Sequence, residues 1–259
     1  MKFKSVALAL YLTFFSSAAI ANNAFYISIS SQVARKQDLE VITNNASNIN
    51  TNGYEEDTML FKDVNITKKS KKNNSFVTTH SIYKQSELGP LRSTGNPLDV
   101  AILEKDHYFK LMTPKGPRFT LAASMLKNSD GILVNPEGIP FMSINNDLIQ
   151  VPQDATYIKV MDNGTIIADD QEIDRIGVVY IPDKNMLLKE GGSIYKNNGS
   201  EFAVDEYTVL SGYLRASNVN SARVMAESIE SQRSYSGATS LVFEISDLEK
   251  KAVGSILKP

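Results

Sequence analysis

Cysteine and tryptophan are absent from the 259 residues, and histidine occurs only at His80 and His107. Without a thiol, disulfide frameworks, cysteine zinc sites, iron–sulfur clusters and cysteine nucleophiles are excluded, and two histidines leave little for a metal site or a general base. An excess of one charge is also missing. The 27 Lys plus Arg against 29 Asp plus Glu give a formal charge of -2, with a pI near 5.8. That balance argues against a nucleic-acid partner, because the phosphate backbone rewards a strongly basic face. The partner expected is another protein, with no nucleic acid, no small-molecule substrate and no cofactor. What is present is enough apolar material, 42% of residues, for a folded core in about two units.

The first 21 residues read as a secretory signal peptide. Lys2 and Lys4 make a positive start, Val6 to Phe15 is an apolar run, and Ala19-Ile20-Ala21 is a small-x-small cleavage site. The run is well short of the ~20 residues needed to span a bilayer as a helix. The remaining chain is expected to be exported and soluble.

From Asn22 to about Asn50 there is neither Gly nor Pro, and Leu39, Ile42, Ala46 and Ile49 recur at spacings of three and four. This predicts a helical stripe, interrupted upstream at Gln32, Arg35 and Lys36 and stopped by Thr51-Asn52-Gly53. Near the other terminus Ala238, Leu241, Ile245, Leu248 and Ala252 step by three and four as a heptad seam among charged residues. Between the helices, short alternating runs at Leu98 to Ile102, Tyr108 to Met112, Ile132 to Val134, Tyr157 to Val160, Thr165 to Ala168 and Ile176 to Ile181 predict strands. Asp130-Gly131, Asn163-Gly164 and Asn198-Gly199 predict hairpin turns with positive backbone angles. Lys68, Lys69, Lys71 and Lys72 read as a solvated linker. The fold class expected is α+β: a mainly antiparallel β central domain flanked by N- and C-terminal helices that pair as a coiled coil. The divisions expected are a signal peptide at 1–21, an N-terminal helix and loop at 22–62, a linker and irregular β region at 63–95, the central β domain at 96–205 and a C-terminal helical region at 206–259. A narrow apolar stripe leaves most of a helix polar, so each terminal helix needs a partner helix, either in the same chain or in neighbouring copies.

No reaction can be assembled from the remaining residues. His80 and His107 fall in presumed loops or turns and read as surface residues. Glu55-Glu56-Asp57 and Asp169-Asp170 lack the alternating oxygen ligands of a Ca²⁺ loop and read as solvated charge. Gly191-Gly192-Ser193 has neither the spacing nor the lysine of a phosphate loop. Catalytic, metal and cofactor sites are therefore expected to be absent.

Three motif blocks carry a resemblance to a known family. The first is Asn44-Asn45-Ala46-Ser47-Asn48-Ile49-Asn50-Thr51-Asn52-Gly53-Tyr54, the second Thr94-Gly95-Asn96-Pro97-Leu98-Asp99-Val100-Ala101-Ile102. The third runs from Gly212 to Tyr235 and holds Ser217-Asn218-Val219-Asn220 followed by Met225, Ile229, Gln232-Arg233 and Tyr235. In this order and spacing they resemble the flagellar hook and basal-body rod family over roughly Asn23 to Ile256, with weaker echoes at Arg118-Phe119-Thr120 and Lys189-Glu190-Gly191-Gly192. The short length and the ending Ile245-Ser246-Asp247-Leu248 are more similar to the proximal rod type than to the distal rod or hook types. The resemblance implies an axial subunit of the basal body, spanning the periplasm, whose terminal helices bundle with other rod and hook subunits while the β domain packs outside. It implies no catalysis. An exported monomeric β-domain binding protein that no longer assembles is the competing reading.

The sequence also departs from the family pattern. A glycine-rich turn after the signature strand is replaced by Glu104-Lys105-Asp106-His107-Tyr108-Phe109, which predicts that Asp106 takes the awkward backbone angle. Arg215 stands where an acid is common. The signal peptide is the largest departure, because the family generally travels through the flagellar export channel with an uncleaved N-terminus: either the subunit is routed through the inner membrane, or the extension is an incorrectly assigned start and Asn22 lies near the functional beginning.

Overall fold

The computed structural model describes residues 2–67, 73–84 and 87–256, with side-chain surroundings for 25–61, 83, 87–251 and 253–254. The lysine-rich linker at 68–72 lies outside the described residues. Along the chain come helix α1 (Lys2–Ser47), then β1 (Asp57–Thr67), β2 (Asn73–Lys84), β3 (Leu91–Ser93), β4 (Asp99–Ile102), β5 (His107–Thr113), β6 (Gly116–Thr120), β7 (Ala123–Ser124), β8 (Leu126–Lys127) and β9 (Leu133–Val134). They are followed by β10 (Ile158–Val160), β11 (Thr165–Ala168), β12 (Gln171–Arg175), β13 (Val178–Tyr180), β14 (Leu187–Gly191), β15 (Ile194–Asn197), β16 (Phe202–Ala203), β17 (Val209–Ser211), β18 (Tyr213–Arg215) and helix α2 (Ser221–Ile256). The α+β class and the antiparallel pairing are as the sequence pattern predicts, and each predicted strand overlaps an observed one.

Two compact units divide the chain. One holds 1–44, 58–83 and 222–259, the other 45–57 and 84–221. In the first unit α1 runs unbroken through Gln32, Arg35 and Lys36, where the pattern predicts an interruption. Arg35 and Lys36 face solvent while Gln32 is half-buried, so polar side chains at these positions cost the helix nothing. The helix stops at Ser47 rather than at Gly53, leaving Ile49 beyond its end. The region read as a linker and irregular β carries a regular two-stranded ribbon, β1 with β2. His80 lies on β2, with its side chain outside the described set.

The second unit is built on a six-stranded sheet in the order β14-β15-β6-β5-β13-β16. Alternate residues of a strand point to opposite faces, and both faces of this sheet are covered. Phe109 and Leu111 of β5 with Val178 of β13 enter one core, alongside Val100, Ile102, Met125, Phe141, Ile149 and Ile166. Their neighbours Tyr108 and Val179 enter a second core with Phe119, Leu121, Ile181, Leu187 and Tyr195.

The turns follow the sequence in part. Gly131 and Gly164 have φ of 80° and 81°, as their turn pairs predict, whereas Asn198-Gly199 turns without a positive angle. Asp106 does take the left-handed conformation, φ 63°. The tightest turn was hidden: Asp169 and Asp170 both have positive φ, 47° and 65°, and join β11 to β12 in a two-residue hairpin. Two consecutive positive angles match the twist of the flanking strands, and Asp tolerates them better than most residues. These two aspartates are exposed, as expected of solvated charge.

Candidate assembly site

The first motif block closes on itself and on the β domain. Asn45 Oδ1 accepts from the Tyr54 hydroxyl at 3.0 Å and from Asp57 N–H at 3.1 Å, while Asn45 Nδ2 donates to Asp57 O at 2.7 Å. Only an amide can donate and accept in this way, which gives the position a reason to be Asn. Gly53, at φ 70°, donates its N–H to Arg215 O at 2.7 Å. A Cβ there would sit 2.6 Å from Ala122 N, so no side chain fits.

The acidic run after Tyr54 overturns the reading of solvated charge. Glu55 and Glu56 are each 1% exposed. Glu55 receives the Lys184 ammonium at 2.7 Å and the Tyr108 hydroxyl at 2.9 Å, and Asp57 receives Lys189 at 2.7 Å. Lys189 also donates to Glu55 O and lies 3.8 Å from the Tyr54 ring centre. The partners lie about 130 residues away in the chain, so local composition could not reveal them. Burial pulls the Lys184 ammonium toward neutrality, but Glu55 and Asp106 outweigh it and its pKa is raised. At Lys189 burial wins over the pull of Asp57, and the pKa is lowered. Burial, reinforced by Glu55, pushes the Tyr108 hydroxyl well above its usual range; burial does the same for Tyr195.

The second and third blocks meet. Thr94 N–H and Gly95 N–H donate to Gly212 O, and Gly212 N–H returns to Asp99 O at 2.8 Å. Asn96 Oδ1 accepts from Leu98 N–H, Ser211 Oγ donates to Pro97 O, and Asp99 Oδ1 accepts from Ser124 Oγ. β4 then pairs with β17 through Val100–Ser211 to Ile102–Val209. Asn218 Oδ1 accepts from Glu56 N–H at 2.6 Å and its amide donates to Glu87 O, while Ser217 Oγ accepts from Val219 N–H. Asn220 immediately precedes α2. Asn44 and Asn48 lie at the end of α1 and just past it, and Gln232 and Arg233 are exposed on α2. Arg215, unusual for the pattern, is buried and spends its guanidinium on the carbonyls of Gly89 and Ile102. The weaker echoes also join, through Arg118 gripping Glu190 with both Nε at 2.6 Å and a terminal nitrogen at 3.1 Å.

In the helical unit, α1 and α2 meet through Gln32 donating to Thr239 Oγ1 at 2.9 Å and Ser231 Oγ donating to Asp38 at 3.0 Å. Advancing along α1 means retreating along α2, the sense of an antiparallel pair. The buried positions of α1 among the described residues are Ala34, Ile42 and Asn45, with Ser31, Asp38, Leu39 and Val41 among the half-buried ones. On α2 the covered stripe runs through Val224, Ser228, Ser231, Tyr235, Ala238, Val242, Ile245 and Glu249. Those steps of four and three are a heptad, but one that shares only Ala238 and Ile245 with the apolar series read from the sequence. Leu241 and Leu248 are 54% and 66% exposed, as are Phe243 at 70% and Val253 at 55%. On α1, Ile42 is buried, Leu39 half-buried and Ala46 exposed, with Ile49 half-buried beyond the helix. Ala252 lies on α2 with its side chain outside the described set. Among the described residues no group of His, Asp and Glu gathers as a metal site, and no helix is long and apolar enough to cross a membrane.

Comparison with known proteins agrees with the motif blocks. The family described as flagellar basal body rod FlgEFG protein C-terminal matches residues 210–253, beginning where Gly212 meets the second block. The flagellar basal-body rod protein FlgF of Caulobacter vibrioides is 28% identical over 238 residues, covering 90% of this chain and 97% of that relative. FlgF of Rhizobium meliloti is 29% identical over 236 residues, covering 89% and 96%. The flagellar basal-body rod protein FlgG of Bacillus subtilis is 28% identical over 249 residues, covering 85% and 93%. Joined by the hydrogen bonds of Asn45, Gly95, Gly212 and Asn218, the three motif blocks make this chain one that resembles the flagellar hook and basal-body rod family, and the FlgF-type rod proteins within it.

Proposed function

We propose that the chain is a structural axial subunit of the bacterial flagellar basal-body rod, standing in the periplasm and joining other rod and hook subunits, like and unlike, through its terminal helices. No catalytic step is part of this role. The observation that carries the reading is the exposure of Leu241, Phe243, Leu248 and Val253 on a helix whose covered stripe includes Ser228, Ser231 and Ala238. Inside one chain the covered stripe combines these small residues with Val224, Tyr235, Val242 and Ile245. The exposed apolar side chains are left for helices of neighbouring subunits, where burying each removes apolar surface at about 25 cal/mol per Å². In this reading α1 and α2 form a coiled coil that is one layer of a larger bundle, with Asp38–Ser231 and Gln32–Thr239 setting its register.

Leu248→Asp tests it. A charge at this position is harmless in water and without a partner between packed helices, so the variant is expected to fold normally and fail to enter rod particles. Normal incorporation would remove the exposed face of α2 from the mechanism. A wild-type chain that stays monomeric at high concentration and joins no other rod protein would instead favour the monomeric binding protein.

A further inference from the structure

We propose that Lys189 and Asp57 condense in the folded chain to an intramolecular amide, a covalent crosslink between residues 132 apart in sequence. Both lie in the unit that holds 45–57 and 84–221, so the inference goes beyond the rod reading and does not rest on it.

The reacting atoms are already in place. Lys189 Nζ donates to Asp57 Oδ2 at 2.7 Å, and the two side chains are 13% and 14% exposed. A nitrogen at that distance from a carboxylate oxygen lies about 3.5 Å from the carboxyl carbon, the separation of a near-attack geometry. Both partners are anchored. Asn45 holds the Asp57 backbone through its N–H and its carbonyl, and Lys189 sits on β14, paired with Tyr195 of β15. The buried Tyr54 ring lies against the Lys189 nitrogen, 3.8 Å from its centre, and shields that side from water.

Two lysine–carboxylate pairs in this cluster share the 2.7 Å separation, and they differ in what they can do. Glu55 spends one oxygen on Lys184 and the other on the Tyr108 hydroxyl, and the carboxylates around Lys184 raise its pKa, which keeps it an ammonium without a nucleophilic lone pair. Asp57 Oδ1, by contrast, is buried with no hydrogen-bond partner among the described residues, and burial draws Lys189 toward the neutral amine. An ion pair that leaves an anionic oxygen dry is costly, and condensation removes both charges.

The step balances within the pair. The ammonium proton passes along the hydrogen bond to Asp57, giving a neutral amine against a carboxylic acid. The Nζ lone pair attacks Cγ, a C–N bond forms and a C–O bond breaks, and the departing oxygen leaves as water with the acid proton and one proton from nitrogen. Nothing is oxidised or reduced. The hydrogen that stays on the amide nitrogen has an acceptor in Glu55 O, to which Lys189 already donates. The product closes a loop of the chain and restricts the unfolded state as a disulfide would, in a sequence that has no cysteine.

Intact mass and a tryptic map of the full wild-type chain, purified folded and then denatured, test the proposal. The expected mass is one water below that of the sequence counted from the N-terminus found. Trypsin is expected to leave the acylated Lys189 uncut and to release a branched peptide joining the Asp57 and Lys189 segments, which no reductant separates. Lys189→Arg, which keeps the charge and does not condense, is expected to show the full mass and a lower melting temperature. A wild-type chain of full mass, with Asp57 and Lys189 recovered in separate linear peptides, would overturn the inference, as would the same mass deficit in Lys189→Arg. The mass is read on denatured single chains, so failure here and failure of the rod reading are distinguishable.

Discussion

The β domain and the terminal helices solve the burial problem in opposite ways. Phe109, Leu111, Phe141, Ile149, Ile166 and Tyr195 are fully enclosed by their own unit, on two faces of one sheet. On α2, by contrast, six large apolar side chains among the described residues, Met225, Ile229, Leu241, Phe243, Leu248 and Val253, are more than half exposed, and the covered stripe mixes serine, alanine and glutamate with Val224, Tyr235, Val242 and Ile245. Apolar area removed from water is the main stabilising term, so the folding free energy of the chain is concentrated in the β domain. A region that encloses its own large side chains is complete alone. One that covers only part of its large apolar side chains and leaves six of them mostly in water has the composition of half an interface.

That contrast can be broken most forcefully from the β side. Phe109→Ala is expected to cost about 3–5 kcal/mol, lowering the β-domain melting temperature by about 10 °C in calorimetry, while leaving the helical circular dichroism at low temperature unchanged. A simultaneous loss of helix would show the two regions to be one cooperative unit.

Glu55→Ala comes next. It leaves the Lys184 ammonium buried with only Asp106, and is expected to cost about 3 kcal/mol in chemical denaturation. Adding Lys184→Met is expected to recover part of that loss, and full additivity of the two would sink the buried ion pair.

Alkaline titration probes the same cluster. Tyr108 and Tyr195 have raised pKa values, so above about pH 10 the unfolded chain releases protons that the folded chain retains, and stability falls. Lys184, also raised, adds to the fall above its ordinary value, while Lys189, lowered, opposes it. The melting temperature should therefore decline from pH 9 to 11, and Tyr108→Phe should flatten the decline.

A smaller effect of opposite sign is expected at Asp170→Gly. Relieving a positive φ on a non-glycine residue should stabilise the β domain by up to about 1 kcal/mol, read as a raised denaturation midpoint. Smallest of all is Leu248→Asp in the isolated chain, within about 0.5 kcal/mol because the side chain already faces water. A large loss there would mean that the residue supports its own fold.

Much of the architecture was legible because it is local. Alternation marked β5, β11 and β13, the heptad spacing marked α2, and the missing glycine before Tyr108 marked Asp106 as the residue forced to a positive φ. The Asp169-Asp170 turn left a weaker trace, two small acidic residues between alternating runs. The acids after Tyr54 left a misleading one, since a run of three carboxylates ordinarily means solvent. On α2 the covered positions mix serines and a glutamate with apolar residues, and of the series read from hydrophobicity they include Ala238 and Ile245 while Leu241 and Leu248 stay exposed.

Periodicity, turn chemistry and the order of the three motif blocks are properties of neighbouring residues, and they alone specified the α+β class, the helical termini and the family resemblance. Pairing is different. That Lys184 and Lys189 neutralise Glu55 and Asp57, that Arg215 caps the carbonyls of Gly89 and Ile102, and that α2 covers Ser228 and Ser231 while Leu241 and Leu248 face water, depend on which distant segments the folded backbone brings together. A charge or an apolar side chain has no fixed cost of its own, because the cost is set by what surrounds it, and only the tertiary structure supplies the surroundings.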